Sequence, residues 1–251
     1  MDAIVLAGGY ATRLRPITLD VSKPLVPVAG RPMIDYVLDR VEDIPEIDRV
    51  FVVTNEKFYG DYVEWVTAEE REQFEIFPLN DGTTSNADRL GAVGDIQFAV
   101  SEGDIKGDAI VLGGDNLFDF SLTPFRQFQK QRNSPALGCY DVGDLELVKL
   151  YSEARLDGDI VREFVEKPAH PHSTLIGILC YLLRGDDLPL LDTYLADGND
   201  ADKAGSFIQW LITQEEVVGY PFAGRWIDIG TKEQLDRAER EWSGEREISR
   251  S

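Results

Sequence analysis

A glycine turn followed by basic side chains lies close to the start of the chain. Gly8 and Gly9 follow an apolar run, and Arg13 and Arg15 come a few residues later. Glycines after a strand let backbone N–H groups approach a ligand, and clustered N–H groups bind anions. Arginine suits bidentate contact with phosphate oxygens, and Lys23 supplies a further cation. The segment predicts a triphosphate cradle; the alternative is a tight surface turn with incidental basic residues.

The charge of the whole chain strengthens the phosphate interpretation. Lys and Arg together number 25 against 46 Asp and Glu, which gives a formal net charge of −21. Proteins that recognise nucleic acid rely on an excess of basic residues, so we expect no nucleic-acid partner. Such an acidic surface is favoured where high salt screens self-repulsion, which predicts a halophilic protein; the alternative is an ordinary acidic cytosolic enzyme.

Two better-known phosphate loops do not fit the glycine turn. The Walker pattern requires a terminal Gly-Lys-Ser/Thr, which this loop lacks. The dinucleotide fingerprint requires Gly-x-Gly-x-x-Gly leading into a helix, and its second and third glycines are missing here.

Carboxylates follow two further apolar segments. Asp115 comes after the run 109–114, and Asp228 lies within the segment 226–231. Magnesium usually takes one or two protein carboxylates and completes its shell with phosphate oxygens and water. A single Asp at a strand end is often only a cap or a turn former. Because both follow strands of the predicted sheet, the pair predicts a Mg²⁺ site.

An acidic, a basic and a proline residue end another strand. Glu166 can accept hydrogen bonds from sugar hydroxyls, and Lys167 can pair with a phosphate monoester. Adjacent strand residues point to opposite faces, so both could reach one ligand only with a local distortion beside Pro168. Taken alone, the segment is more typical of an exposed, ion-pairing strand end.

Strands and helices alternate in the first half of the chain. Strands are predicted over residues 2–7, 49–54, 74–78 and 109–112, with helices over 33–41, 58–71 and 89–100. This alternation is typical of a doubly wound α/β sheet, in which ligands bind beyond the carboxyl ends of the strands. The glycine turn and Asp115 both follow such ends.

The second half is richer in strands. Strands are predicted over 136–141, 147–151, 175–183, 217–221 and 225–229, a hairpin over 153–156 and 160–166, and helices over 187–196, 204–214 and 232–242. No apolar run could span a bilayer, and no leader pattern precedes the first strand, so we expect a cytoplasmic protein with no membrane partner. Cys139 and Cys180 are interpreted as buried, reduced thiols.

Taken together, these segments resemble the nucleotide-sugar pyrophosphorylases, the sugar-1-phosphate nucleotidyltransferases, and among them glucose-1-phosphate thymidylyltransferase and uridylyltransferase. The matching stretches occur in family order and lie at residues 6–16, 22–28, 30–34, 114–116, 166–168 and 226–231. The resemblance implies a Rossmann-like nucleotidyltransferase fold with a mostly parallel central sheet flanked by helices and a small β-rich sugar-binding part.

The resemblance also implies the domain organisation. A single domain would cover residues 1–242, with about 1–135 binding the nucleotide, about 136–230 binding the sugar phosphate, and 243–251 forming a polar tail. We expect no appended acyltransferase or solenoid domain after residue 242. Members of the family often form dimers or tetramers, and the sequence leaves the oligomeric state open.

The activity implied is Mg²⁺-dependent transfer from a nucleoside triphosphate, dTTP or UTP, to glucose 1-phosphate. The implied nucleotide-binding residues are Leu6, Ala7, Gly8, Gly9, Arg13, Lys23, Asn80, Asn86, Gly91 and Asp115. The implied sugar-phosphate residues are Tyr151, Glu166, Lys167 and Gly177, and the implied metal ligands are Asp115 and Asp228. Catalysis would rest on Arg13, Lys23, Asp115, Lys167 and Asp228.

The chain departs from the family pattern in places that bear on the substrates. Ser152 stands where the family has Gly, residues 176–179 replace its Thr-Gly-x-Tyr, and the loop 80–92 replaces its usual base-reading form. Alternatives are a cytidylyltransferase acting on another phosphomonoester, a glycosyltransferase that consumes a nucleotide sugar, and a regulatory subunit without activity. A glycosyltransferase would be expected to show Asp-x-Asp where Asp115 is followed by Asn116 and Leu117.

Overall fold

The structure is a computed structural model that describes residues 1–248, with side chains described through Ser243. Its strands are β1 Asp2–Leu6, β2 Pro27–Val28, β3 Arg31–Pro32, β4 Arg49–Thr54, β5 Glu75–Asn80, β6 Ala109–Gly113, β7 Asn116–Phe118, β8 Ala136–Asp141, β9 Ser152–Asp157, β10 Ile160–Glu166, β11 Leu175–Leu183, β12 Val218–Phe222 and β13 Trp226–Asp228. Its α-helices are α1 Met33–Val41, α2 Tyr59–Ala68, α3 Ala92–Glu102, α4 Thr123–Arg132, α5 Leu145–Val148, α6 Pro189–Ala196, α7 Ala204–Leu211 and α8 Lys232–Ile248.

One nine-stranded sheet forms the centre of the molecule, with the strand order β5-β4-β1-β6-β11-β8-β12-β10-β9. Strands β5, β4, β1 and β6 are parallel to one another, as the alternation of strands and helices predicts. The second half is mixed, because β11 runs antiparallel to both β6 and β8. The Rossmann-like α/β fold class is therefore confirmed, with the parallel pairing concentrated in the first half.

Both faces of the sheet are covered by helices. In β1, Ala3 and Val5 face the cluster that contains α1, whereas Ile4 faces the cluster that contains α3. All three side chains are fully buried. The continuous apolar run of β1 follows from this, because a strand with helices on both faces has no solvent side.

One strand prediction is wrong, and two helices, α4 and α5, were not predicted. Residues 147–151 do not form a strand, because Asp144 accepts a hydrogen bond from the Glu146 amide at 2.8 Å and starts the short helix α5. The leucines that suggested a strand are exposed, with Leu150 at 62%. Helix α4 was not predicted, because most of its residues are polar and give no apolar periodicity. Phe125 packs it against the core.

The helix predicted over residues 89–100 begins three residues late, at Ala92. Gly91 precedes it with φ of 83°, a left-handed conformation that does not continue into a helix. The first amides of α3 are satisfied from the other half of the chain: Ala92 N donates to Asp202 O at 3.3 Å and Val93 N to Ala201 O at 2.9 Å. This junction ties the loop after β5 to the segment before α7.

The last helix is longer than expected. It was predicted to end at residue 242, but α8 continues to Ile248 in the described backbone. Residues 249–251 of the predicted polar tail lie outside the described residues. Among the residues described, no helix combines the length and the apolar character required to cross a bilayer.

The tight junction at Gly91 leads to a stability prediction. A Cβ at position 91 would lie 2.4 Å from the carbonyl oxygen of Ala201, at a backbone φ unfavourable to side chains. Gly91→Ala should therefore lower the free energy of unfolding by about 1–3 kcal/mol in denaturant titration. Gly60→Ala, in α2, is the control, because no described atom lies within 4 Å of its Cβ position. Equal losses at the two positions would contradict the close approach.

Candidate active site

The first part of the site lies where β1 and β6 end side by side. These strands are parallel and in register from Asp2 opposite Ala109 to Leu6 opposite Gly113. The contact continues beyond the strands, since Gly114 N donates to Leu6 O at 3.0 Å. The glycine turn after β1 and the carboxylate after β6 are therefore neighbours, as expected for the carboxyl ends of adjacent parallel strands.

Lys23 and Asp115 form an ion pair at this edge. Lys23 Nζ donates to Asp115 Oδ2 at 2.5 Å, and Asn116 Nδ2 donates to Asp115 Oδ1 at 2.9 Å. Burial acts to raise the pKa of Asp115, but the Lys23 ammonium and the Asn116 amide outweigh it and leave the pKa below its ordinary value. Asp115 is thus held as a carboxylate.

The short strand pair β7–β13 brings Asp228 to the same place. This pair is a separate two-stranded sheet, so the expectation that Asp228 follows a strand of the central sheet is wrong. Asp228 lies opposite Asn116 in this antiparallel pair, and Ile229 N donates to Asp115 O at 3.3 Å. Burial, and then the neighbouring Asp115 carboxylate, raise the pKa of Asp228 to about 6 despite the opposing effects of Lys23 and Arg13. Trp226 Nε1 donates to Asn116 Oδ1 at 3.0 Å and fixes the amide that orients Asp115.

The donor set of this pair fits a magnesium ion. The Asp228 carboxylate accepts no hydrogen bond from a described side chain or amide and lies close enough to Asp115 for mutual repulsion, a cost that a divalent cation would remove. No group of three or more His, Cys, Asp or Glu arranged for metal binding occurs in the described part of the chain. Two carboxylates leave most of a six-oxygen shell for phosphate and water, as Mg²⁺ prefers.

Arg13 lies on the other side of the same edge. A Cβ at Gly230 would be 3.5 Å from Arg13 Nη2, which places the guanidinium beside the segment after β13. Arg13 is exposed and lines a cleft of about 490 Å³ together with Asp115. The charge of Arg13 also acts to lower the pKa of Asp228 and of Tyr151. The cation is therefore free to meet a ligand in the cleft.

Most residues expected to bind the nucleotide line connected cavities at this edge. Those on the wall of the 490 Å³ cleft are Leu6, Gly8, Gly9, Arg13, Asn86, Gly91 and Asp115. A smaller cavity of about 110 Å³ shares part of that wall and adds Ala7 and Lys23.

Asn80 is the exception among the expected nucleotide residues. Its Nδ2 donates to Glu56 Oε2 at 2.5 Å, and its Oδ1 accepts from Gly82 N at 2.9 Å. Asn80 is thus engaged in the turn after β5, and it is absent from the wall of the 490 Å³ cleft. Asn86 takes a different position, on the cleft wall and exposed.

The end of β10 carries the distortion that Glu166 and Lys167 require. Lys167 has φ of 47°, and its amide donates to Tyr151 O at 2.8 Å. The strand alternation is broken there, so consecutive side chains need not point to opposite faces. Ser152 Oγ donates to Glu166 Oε2 at 2.5 Å. Asp202, on the cleft wall, has a lowered pKa, chiefly because of Arg89 and then Lys203, and the Lys167 ammonium makes a smaller contribution.

Tyr151 and Gly177 occupy different surroundings. The Tyr151 ring packs edge-on against Trp226 at 5.3 Å, and its hydroxyl accepts from Gln234 Nε2 at 3.4 Å. A Cβ at Gly177 would lie 2.4 Å from the Phe164 ring, so the glycine makes room for that ring within the core. Contact of Gly177 with a sugar stays a prediction.

Several cleft residues were missed by the sequence analysis. They are Tyr10, Arg89, Asp95, Leu179 and Asp202. Arg89 makes a bidentate ion pair with Asp202, at 2.6 and 2.8 Å, which closes the rim between the two halves. That pair spans more than a hundred residues of sequence, and no local pattern signals it. Asp95 carried a weak signal, as an acid in the first turn of an otherwise apolar helix face.

Comparisons with known proteins show the family to which the chain belongs. The sequence profile of the nucleotidyl transferase family matches residues 2–243. A protein provisionally named mannose-1-phosphate guanyltransferase from Sulfolobus acidocaldarius is 29% identical over 234 residues, covering 92% of this chain and 60% of the relative. The bifunctional protein GlmU of Methanocaldococcus jannaschii is 28% identical over 233 residues, covering 92% and 51%. The chain thus spans about half to three fifths of the length of these curated relatives.

Solved structures agree on the fold. A protein provisionally named glucose-1-phosphate thymidylyltransferase from Bacillus anthracis superposes with a TM-score of 0.83 at 21% identity, covering 97% of this chain and 95% of that one. A UDP-glucose pyrophosphorylase without ligand gives 0.82 at 18% identity, with 98% coverage of both. With a family profile that matches nearly its full length, the chain belongs to the nucleotidyl transferase family.

Proposed function

We propose that this chain transfers a nucleotidyl group from dTTP or UTP to glucose 1-phosphate, giving a nucleotide sugar and pyrophosphate. The observation that carries the proposal is the gathering of Arg13 and Lys23 with Asp115 and Asp228 at one sheet edge of a protein whose net charge is −21. The family relationship supports the reaction class, and the sequence resemblance supports these particular substrates.

The reaction is an in-line displacement at the α-phosphorus. A phosphate oxygen of the sugar 1-phosphate forms a bond to this phosphorus, while the bond from it to the oxygen bridging the α- and β-phosphates breaks. Pyrophosphate leaves with the bonding electrons, so no covalent enzyme intermediate is required. Because two anions must meet, the protein contributes positioning and charge neutralisation.

Each basic residue has a place in this scheme. Arg13 and the amides after β1 hold the leaving pyrophosphate portion of the triphosphate, and Lys23 contacts the α-phosphate. Asp115 and Asp228 would hold Mg²⁺, which neutralises phosphate charge and polarises phosphate oxygens when bound. The Lys23–Asp115 contact keeps the lysine at the site before substrate arrives.

The sugar phosphate binds at the end of β10. Lys167 pairs with its phosphate, and Glu166 accepts a hydrogen bond from a sugar hydroxyl. The left-handed backbone at Lys167 supports this arrangement, because it frees the two side chains from strand alternation. Tyr151, beside Trp226, forms an apolar wall for the sugar.

The working environment follows from the surface charge. A net charge of −21 on 251 residues is tolerated best where salt screens self-repulsion. We therefore place the reaction in a cytoplasm of high ionic strength.

A substrate screen tests the proposal. Pyrophosphate release is measured for UTP, dTTP, CTP, ATP and GTP, each with several sugar 1-phosphates and with phosphocholine, at low salt and at about 2 M KCl. We expect the highest rates for UTP or dTTP with glucose 1-phosphate in molar salt. Asp115→Asn should lower the rate at least about a hundredfold, because the metal and Lys23 lose their shared carboxylate.

The matched control for that variant is Asp157→Asn, at an exposed side chain of the β9–β10 turn whose one ion pair among the described residues is a long contact to Arg162. It should keep the parental rate. Circular dichroism would establish that both variants are folded. Near-parental pyrophosphate release by the folded Asp115→Asn protein would refute the assignment of Asp115.

The two subsites should separate kinetically. Lys167→Ala should raise KM for the sugar 1-phosphate by about tenfold to a hundredfold, because it removes a charge-assisted contact to the phosphate. KM for the nucleotide should change little. Lys149→Ala, which removes another exposed lysine paired with Glu146 at 2.6 Å, is the control and should change neither constant. A larger effect of Lys167→Ala on the nucleotide KM would place this lysine at the other substrate.

A further inference from the structure

Asp95 is a buried carboxyl group without a partner on the wall of the 490 Å³ cleft. Its side chain lies in the first turn of α3, and the residue is 8% exposed. Neither carboxyl oxygen receives a hydrogen bond from the described residues, and Oδ1 is fully enclosed. Such a group is costly to bury, so it calls for a partner that the chain itself does not provide.

The carboxyl group points toward the glycine turn. A Cβ at Gly8 would lie 3.0 Å from Asp95 Oδ2 and 3.4 Å from Asp81 Oδ2. Asp95 is therefore reached from the nucleotide end of the cleft, on the wall that also carries Asn86 and Gly91. The partner of Asp95 must be a group bound in that part of the cleft.

The charges around Asp95 are mostly negative. The charges of Asp81, on the loop after β5, and Asp202, before α7, both act to raise the pKa of Asp95. Arg89 lies nearby but forms an ion pair with Asp202. The other charged or titratable side chains of the cleft wall are Tyr10, Arg13 and Asp115. The first amides of α3 are taken by the carbonyls of Ala201 and Asp202. Burial and the two carboxylates raise the pKa of Asp95 to about 7.

A neutral carboxyl group differs from a carboxylate in what it can bind. The neutral form offers one O–H donor beside one acceptor, whereas the ionised form offers acceptors alone. The imide edge of uracil or thymine presents an N–H donor beside a carbonyl acceptor. Because Oδ1 is enclosed, Oδ2 is the atom that can meet that edge. A protonated Oδ2 donates to the carbonyl, whereas the carboxylate would set its lone pairs against it.

We propose that Asp95 binds the base of the nucleotide, donating a hydrogen bond from Oδ2 to the C4 carbonyl of uracil or thymine. The assignment rests on the proposed function and names the residue that recognises its nucleotide. Asn86, exposed on the same wall, is left to contact the remaining edge of the base.

Binding of the base should then depend on pH. The neutral fraction of Asp95 falls as the pH rises through about 7, so affinity for UTP is highest below this pH and is lost above it. Between about pH 6 and about pH 8 the neutral fraction falls by about tenfold, and the dissociation constant should rise by a similar factor.

Direct binding measurements test the inference without requiring turnover. Calorimetric titration with Mg²⁺–UTP over this pH range should show the tenfold rise for the parent chain. Asp95→Asn keeps a donor and an acceptor but cannot ionise, so its dissociation constant should follow only the shallow pH dependence of Mg²⁺–UTP itself. Asp95→Ala should bind UTP about tenfold more weakly than the parent at the lower pH.

The outcomes separate this inference from the proposed function. Identical pH profiles for the parent and Asp95→Asn would overturn the role of Asp95, and so would an absence of UTP binding. Tighter binding of GTP than UTP that Asp95→Asn abolishes would also overturn it, because an ionised Asp95 would then be accepting from an N–H donor of guanine through Oδ2. The expected binding profile in a chain that releases no pyrophosphate would support Asp95 and refute the transferase.

Discussion

The ion pair between Lys23 and Asp115 sets the geometry on which the rest of the site depends. The two residues come from loops 92 positions apart, and their 2.5 Å contact requires β1 and β6 to end side by side. Acidic residues far outnumber basic ones in this protein, and Lys23 is one of the basic residues. Its position at this edge places a positive charge beside the two carboxylates. Because the pair is formed without substrate, the proposed phosphate contacts would require little reorganisation.

The second half of the chain completes the site by joining the same sheet. Strand β11 pairs with β6, which places the strand-rich second half against the first half, and β7–β13 carries Asp228 to Asp115. The Arg89–Asp202 pair and the carbonyls that cap α3 bind the halves together around the cleft. A base, two phosphates and a sugar can therefore lie along one continuous edge.

Local sequence patterns predicted the parallel strands, the glycine turn and the strand-end carboxylates, because each depends on neighbouring residues. These patterns failed where contacts between residues far apart in the sequence determine the local structure. Leucines at 147 and 150 suggested a strand, but the Asp144 cap produced a helix with exposed leucines. Asn80, expected among the nucleotide-binding residues, is held by Glu56, and its contact with a nucleotide stays a prediction. Asp95 was not predicted as a site residue, because its neighbours in the fold are Asp81, Asp202 and Gly8. Hydrophobic periodicity does not reveal these contacts.

The most direct measurement is a crystal structure of the chain with Mn²⁺ and a non-reactive UTP analogue, with the metal located by its anomalous scattering. The account predicts one metal peak bound by both Asp115 and Asp228 and by the α-phosphate, with Arg13 and Lys23 on the phosphates. A nucleotide bound elsewhere, or a metal that avoids one of the two aspartates, would contradict it.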